Sequence, residues 1–107
     1  FSQETLAASA RVCTPAHIHG VCGDCRAART VDFEMDLADF EAGRKVRCPA
    51  AIYWGEKSHT EKFFDPRKAW PAYCEKLWRV RPLPCGHYPA EQVPDEVFSE
   101  LSAFFKG

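Results

Sequence analysis

The stretch Leu83-Pro84-Cys85-Gly86-His87-Tyr88-Pro89 brings together residue types suited to proton transfer. A short apolar run ends there in a Gly-His pair, and a Pro-rich, acidic turn follows. A histidine on a loop just past a strand end is held by regular structure on both sides, and its ring can face a cleft. Taken alone, a Gly-His pair reads as a surface turn whose glycine permits a tight bend. The surroundings make His87 a candidate base. A second constellation is His19, Cys22 and Cys25, a His-x-x-Cys-x-x-Cys run of soft ligands that His17 or Cys13 would complete to a zinc-like set. The second ligand pair that such sites usually need after a loop does not follow, and Cys22 and Cys25 also suit the apolar side of a helix. Redox chemistry of the thioredoxin kind is disfavoured, because no strand precedes Cys22-Gly23-Asp24-Cys25.

The elements that must position these residues fall into two halves. Residues Gln3 to Cys13 have helical patterning with a weak apolar side. Thr14-Pro15 is a start signal, a capping hydroxyl followed by a proline whose missing N–H does no harm. The helix that follows carries Ile18, Val21, Cys22 and Cys25 on one face. Another begins near Val31, with Phe33, Leu37 and Phe40 expected inward, and Gly43 placed as its stop. Arg44-Lys45 suits the negative end of its dipole. From Val46 the character changes. Ala50-Ala51-Ile52-Tyr53-Trp54, closed by Gly55-Glu56-Lys57, is an unbroken apolar run, which predicts a strand buried on both faces. Asp65-Pro66, with Asp65 as N-cap, predicts a helix with Trp70, Tyr73, Cys74, Leu77 and Trp78 as its inner stripe. Val80 to Leu83 is the next strand, set at the sheet edge by Pro82. Val93-Pro94-Asp95 starts a last helix with Val97, Leu101, Phe104 and Phe105 inward. Trp54, Trp70 and Trp78 read as core, and His59 as a surface residue of a polar loop. Glu91, Asp95 and Glu96 suit the positive end of the last helix and need no chemistry. Glu56 reads as a solvated loop carboxylate. Strand, helix, strand, helix is the unit of a parallel α/β sheet.

Composition narrows the function classes. With 46% hydrophobic residues, eight Phe and three Trp, this is a folding sequence of at most one domain. A net charge of −1, with Lys and Arg scattered, argues against nucleic acid as a partner. The apolar stretches are too short to span a bilayer, and no signal-peptide pattern is present. Six cysteines suggest a disulfide framework, but Cys48, Cys74 and Cys85 each stand singly among apolar or helical neighbours, as buried free thiols do. A reduced, cytoplasmic setting is therefore expected. Two strands are too few for a sheet covered on both faces, and Phe1 runs straight into helical sequence. The chain is expected to be part of a larger fold, or, as a truncated remnant, to self-associate through its exposed sheet.

The ordered set of motifs carries a resemblance. A strand ending in Trp54-Gly55-Glu56, a helix, an edge strand, Gly86-His87 and a terminal helix resemble the last third of an α/β hydrolase, whose catalytic histidine follows the final strand. Cys48-Pro49, Trp54-Gly55-Glu56-Lys57, Phe64-Asp65-Pro66 with Trp70, and Leu83-Pro84-Cys85-Gly86-His87 narrow it. Together with His19, Cys22, Asp24 to Arg26 and Asp32-Phe33-Glu34, they resemble the haloacetate (fluoroacetate) dehalogenases. The resemblance implies residues 1–43 as the end of a helical cap and 44–107 as the end of the core. It also implies a small 2-haloacid substrate, an aspartyl ester intermediate, water activated by His87, and no metal or organic cofactor. The chain departs from the pattern in three places. No Gly-x-Ser-x-Gly or Gly-x-Asp-x-Gly elbow occurs, so the nucleophile is expected upstream of Phe1. Ser58 stands where many α/β hydrolases carry their acid, as fits a subfamily whose acid follows an earlier strand. Cys25 occupies the place of a family tyrosine that helps hold the departing halide, and a thiol is a shorter and weaker donor. The isolated chain is expected to be inactive. Two other readings stay open: a zinc-binding or structural module using His19, Cys22 and Cys25, and another α/β hydrolase cleaving esters or epoxides.

Overall fold

A computed structural model of the chain describes residues 1–106 and divides it into two units, Phe1–Arg44 and Lys45–Gly107. The first unit holds three helices, α1 (Gln3–Val12), α2 (Pro15–Ala27) and α3 (Val31–Glu41). Their starts follow from local chemistry. Ser2 Oγ accepts the Thr5 N–H, and Thr14 Oγ1 accepts the His17 N–H with Pro15 in the first turn. Helix α3 ends at Gly43, whose φ of 68° is open to glycine without a Cβ penalty, and Arg44 pairs with Asp39 at 2.5 Å. No residue of these helices is buried. The stripe expected to face inward is exposed instead, including Ile18, Val21, Phe33, Leu37 and Phe40. An amphipathic stripe is buried only where a second layer meets it, and three short helices do not supply one within the unit.

The second unit is built on two parallel strands, β1 (Val46–Gly55) and β2 (Cys74–Leu83), paired from Val46 opposite Cys74 to Gly55 opposite Leu83. Between them lie α4 (His59–Phe63), α5 (Pro66–Ala69) and a 3-10 turn, Trp70–Ala72; after them come α6 (Pro89–Gln92) and α7 (Pro94–Lys106). The parallel strand–helix–strand order matches the expectation, but three details are corrected. The helix opened by Asp65-Pro66 stops at Ala69, and Tyr73 through Trp78 do not form its inner stripe. Pro71 lacks an N–H and disfavours helix at the residue before it, so the chain turns there and Cys74 begins the second strand. The segment around His59 is helical, although His59 itself is exposed. Burial of β1 is confined to its end, where Trp54 and Gly55 are buried; Cys48, near its start, is exposed. Among the described residues, β1 and β2 have only each other as sheet neighbours.

The buried apolar residues of this unit gather mainly at the carboxyl ends of the strands: Trp54, Leu83 and Cys85, with Ser58 beside them and Cys74 at the start of β2. Trp70 and Trp78 lie largely at the surface, each 38% exposed, so only Trp54 is core. Trp54 Nε1 donates to Glu61 on α4, and the Arg67 guanidinium lies 4.9 Å from the Trp54 ring centroid. Among the described residues no helix is long and apolar enough to cross a membrane.

Candidate functional site

The turn that carries His87 is built on the buried strand ends. Leu83, fully buried, closes β2, and its carbonyl accepts both the Glu56 N–H at 2.9 Å and the Cys85 N–H at 2.7 Å. The Cys85 carbonyl accepts the Lys57 N–H at 3.0 Å. The two loops that leave β1 and β2 are thereby stitched together backbone to backbone. Gly55 makes the stitch possible: a Cβ there would fall 1.7 Å from the Gly86 oxygen and 2.7 Å from the Cys85 oxygen. Both are main-chain atoms that cannot swing aside. No side chain fits at position 55, and this is the physical content of the Trp54-Gly55-Glu56 motif.

On its far side the turn is tied to α6. The Gly86 N–H donates to Gln92 Oε1 at 2.7 Å, and the Gln92 and Val93 N–H groups donate to the carbonyls of Tyr88 and Pro89. His87 is exposed at the tip, with the Tyr88 ring edge-on at 5.1 Å between centroids. The imidazole projects from the carboxyl ends of parallel strands, where open α/β sheets bind ligands. Cys85 just beneath it is not a reactive thiol. Burial, with the Glu96 and Glu56 carboxylates nearby, pushes its titration up and keeps it protonated. Glu56 is exposed, as expected, and donates only its backbone N–H to the stitch. Ser58 is buried and caps α4 by accepting the Thr60 N–H, a structural task at the position where an acid was considered.

The remaining sequence candidates lie in the first unit. Cys25 and Cys22 are exposed on α2. Among the described residues no three His, Cys, Asp or Glu side chains are arranged to hold a metal ion, so His19, Cys22 and Cys25 do not form the ligand set their spacing suggested. The helix accounts for this. Residues three apart are neighbours, but the sixth residue on has turned well away and risen about 9 Å.

One cluster was missed from sequence. Glu100, only 8% exposed on α7, accepts the Tyr53 hydroxyl at 2.6 Å, Arg79 Nη1 at 2.7 Å and Arg81 Nη2 at 2.7 Å. Arg81 also reaches Glu96 at 2.9 Å. The Tyr53 hydrogen bond, followed by that of Arg81, holds the Glu100 carboxyl down at about 2. Burial, then the Glu100 hydrogen bond, pushes the Tyr53 phenol up to about 12. The inward stripe expected on α7 changes accordingly. Val97 and Phe104 are half-buried, Leu101 and Phe105 are exposed, and Glu100 takes the sheet-facing place. Glu96, read as a dipole residue alone, is an ion-pair partner. The available signal was Arg79 and Arg81 alternating onto one strand face and Glu96 and Glu100 one helical turn apart.

Two parallel strands, helices between and after them, and a histidine turn at the strands' carboxyl ends are the C-terminal part of an α/β-hydrolase fold. A solved structure of a protein described as an acyltransferase from Salmonella enterica has this fold, with a TM-score of 0.78 and 31% identity over 87% of this chain and 30% of that one. In sequence the chain is similar to fluoroacetate dehalogenase from Burkholderia sp, at 37% identity over 90 residues, which are 84% of this chain and 29% of that protein. The chain thus spans less than a third of the length of both of these proteins. No family model matches the sequence. Both similar proteins are described as enzymes, and the likeness to them is at the level of the enzyme family.

Proposed function

We propose that this chain is the C-terminal segment of a hydrolase that removes halide from small 2-haloacids, with His87 as general base. Residues 1–43 belong on this reading to the helical cap, and 44–107 to the core. The observation that carries it is the Gly86-His87 turn, pinned by the Gly55 close approach at the carboxyl ends of two parallel strands, with an exposed imidazole. The likeness to fluoroacetate dehalogenase supplies the reaction class. An aspartate carboxylate supplied upstream of this chain attacks C2 of the haloacid. A C–O bond forms, the C–halogen bond breaks, and halide leaves with the bonding pair. His87 then takes a proton from water as the water oxygen adds to the ester carbonyl. The acyl C–O bond breaks, the proton passes from His87 to the departing hydroxyacid oxygen, and the aspartic acid so formed releases the second water proton to solvent, which restores the carboxylate. The chain by itself, without that nucleophile, releases no halide.

The test is His87→Gln in the protein as its source makes it, with chloroacetate and fluoroacetate as substrates. Halide is expected to be released once per nucleophile and then to stop, leaving a protein heavier by one carboxymethyl group. Undiminished turnover would sink the proposal. The Salmonella enterica structure, described as an acyltransferase, favours a second reading in which the upstream nucleophile handles an acyl group. Acylation of the protein by a halogen-free ester, with no carboxymethyl adduct from haloacetates, would select it.

A further inference from the structure

We infer that Gln92 is a positioning residue for His87, an inference that rests on the reading of His87 as the base. Gly86, the residue from which His87 hangs, is held on two sides. Its carbonyl lies against Gly55, where a Cβ would fall 1.7 Å from the oxygen. Its N–H donates to Gln92 Oε1 at 2.7 Å across a six-residue separation. The Gln92 side chain also packs over the glycine: a Cβ on Gly86 would sit 3.0 Å from Oε1 and 3.3 Å from Nε2. The His87 ring is exposed and stands edge-on to the Tyr88 ring at 5.1 Å between centroids, and its backbone leaves the turn directly from the Gly86 peptide. Gln92 is fixed in turn, because its own N–H and that of Val93 close α6 onto Tyr88 and Pro89. A carboxamide oxygen that fixes the peptide before a base controls the line along which that base meets water, and small misplacements of such groups are costly.

Gln92→Ala removes the acceptor, and Gln92→Glu keeps one. In the full protein, exchange of the Gly86 amide is expected to speed about tenfold in Gln92→Ala, and not in Gln92→Glu. With chloroacetate, Gln92→Ala is expected to keep the single-turnover release of halide, while steady turnover falls ten- to a hundredfold and ester accumulates, on the order seen for misplaced catalytic groups. Gln92→Glu is expected to restore turnover. A purely structural role would instead lower the first release and steady turnover together, and that result would overturn the inference, as would unchanged Gly86 exchange. If His87→Gln stops turnover while Gln92→Ala does not, this inference alone fails. If His87→Gln leaves turnover intact, the reading of His87 fails and takes this inference with it.

Discussion

The resemblance to the haloacetate dehalogenases makes position 25 a proposed contact of the departing halide. Fluoride is a poor leaving group and needs a strong hydrogen bond as the C–F bond breaks, and a thiol supplies a weak one at shorter reach than a phenol. Cys25 lies exposed on α2, so a larger side chain meets no packed core there. Cys25→Tyr in the complete protein is expected to raise fluoroacetate turnover by about tenfold or more, with a smaller gain for chloroacetate, read as fluoride against chloride release. Equal gains for both would argue that position 25 does not touch the leaving group. At this scale the placement of Gly55 at a strand end and of His87 on the turn after the last strand was legible, because a Trp-Gly-Glu strand end and a Gly-His pair are local patterns; the close approach at Gly55 was not. Gln92 was not. Its role depends on a backbone amide whose direction is set only once α6 has formed.

Helix α7 and the two strands are locked in register by one carboxylate. Tyr53 stands on β1 opposite Arg81 on β2, Arg79 lies two residues earlier on the same face, and all three converge on Glu100. The pH dependence has a definite sign. The folded Glu100 carboxyl titrates at about 2 against an ordinary 4.5, so its contribution is complete above about 4.5 and is lost as pH falls toward 2. The Tyr53 phenol titrates at about 12 against 10.0, so its contribution is complete below 10 and is lost as pH rises through 12. Glu100→Gln is expected to destabilise the fold by about 1.5–3 kcal/mol at neutral pH, with the lower end favoured because both arginines are partly solvated. It is also expected to flatten the acid limb of a denaturation series between pH 4.5 and 2. An acid limb unchanged by the substitution would refute the assignment. Helix starts at Thr14 and Asp65 and the stop at Gly43 were readable from capping chemistry. The stretch from Trp70 to Trp78 was misread because its apolar spacing fits a helix until Pro71 is given its full weight. The Glu100 cluster was illegible because it joins residues far apart in the chain.

For the molecule as a whole, all six cysteines are free, and they divide by burial: Cys13, Cys22, Cys25 and Cys48 are exposed, while Cys74 and Cys85 are buried. A thiol reagent on the native protein is expected to modify the first four quickly and the other two only on unfolding, which mass mapping of the adducts would check. Rapid modification of Cys85 would contradict the closed packing beneath the histidine turn. That packing also joins parts of the chain that are far apart in sequence. The contact of Gly55 with Gly86 joins the end of one strand to the loop beyond the next, and a parallel pair closes only after the whole crossover between them is in place. No short peptide around His87 can acquire this geometry by itself. The turn that carries the proposed base therefore reaches its shape only with that long-range closure made, and its cost in chain entropy met.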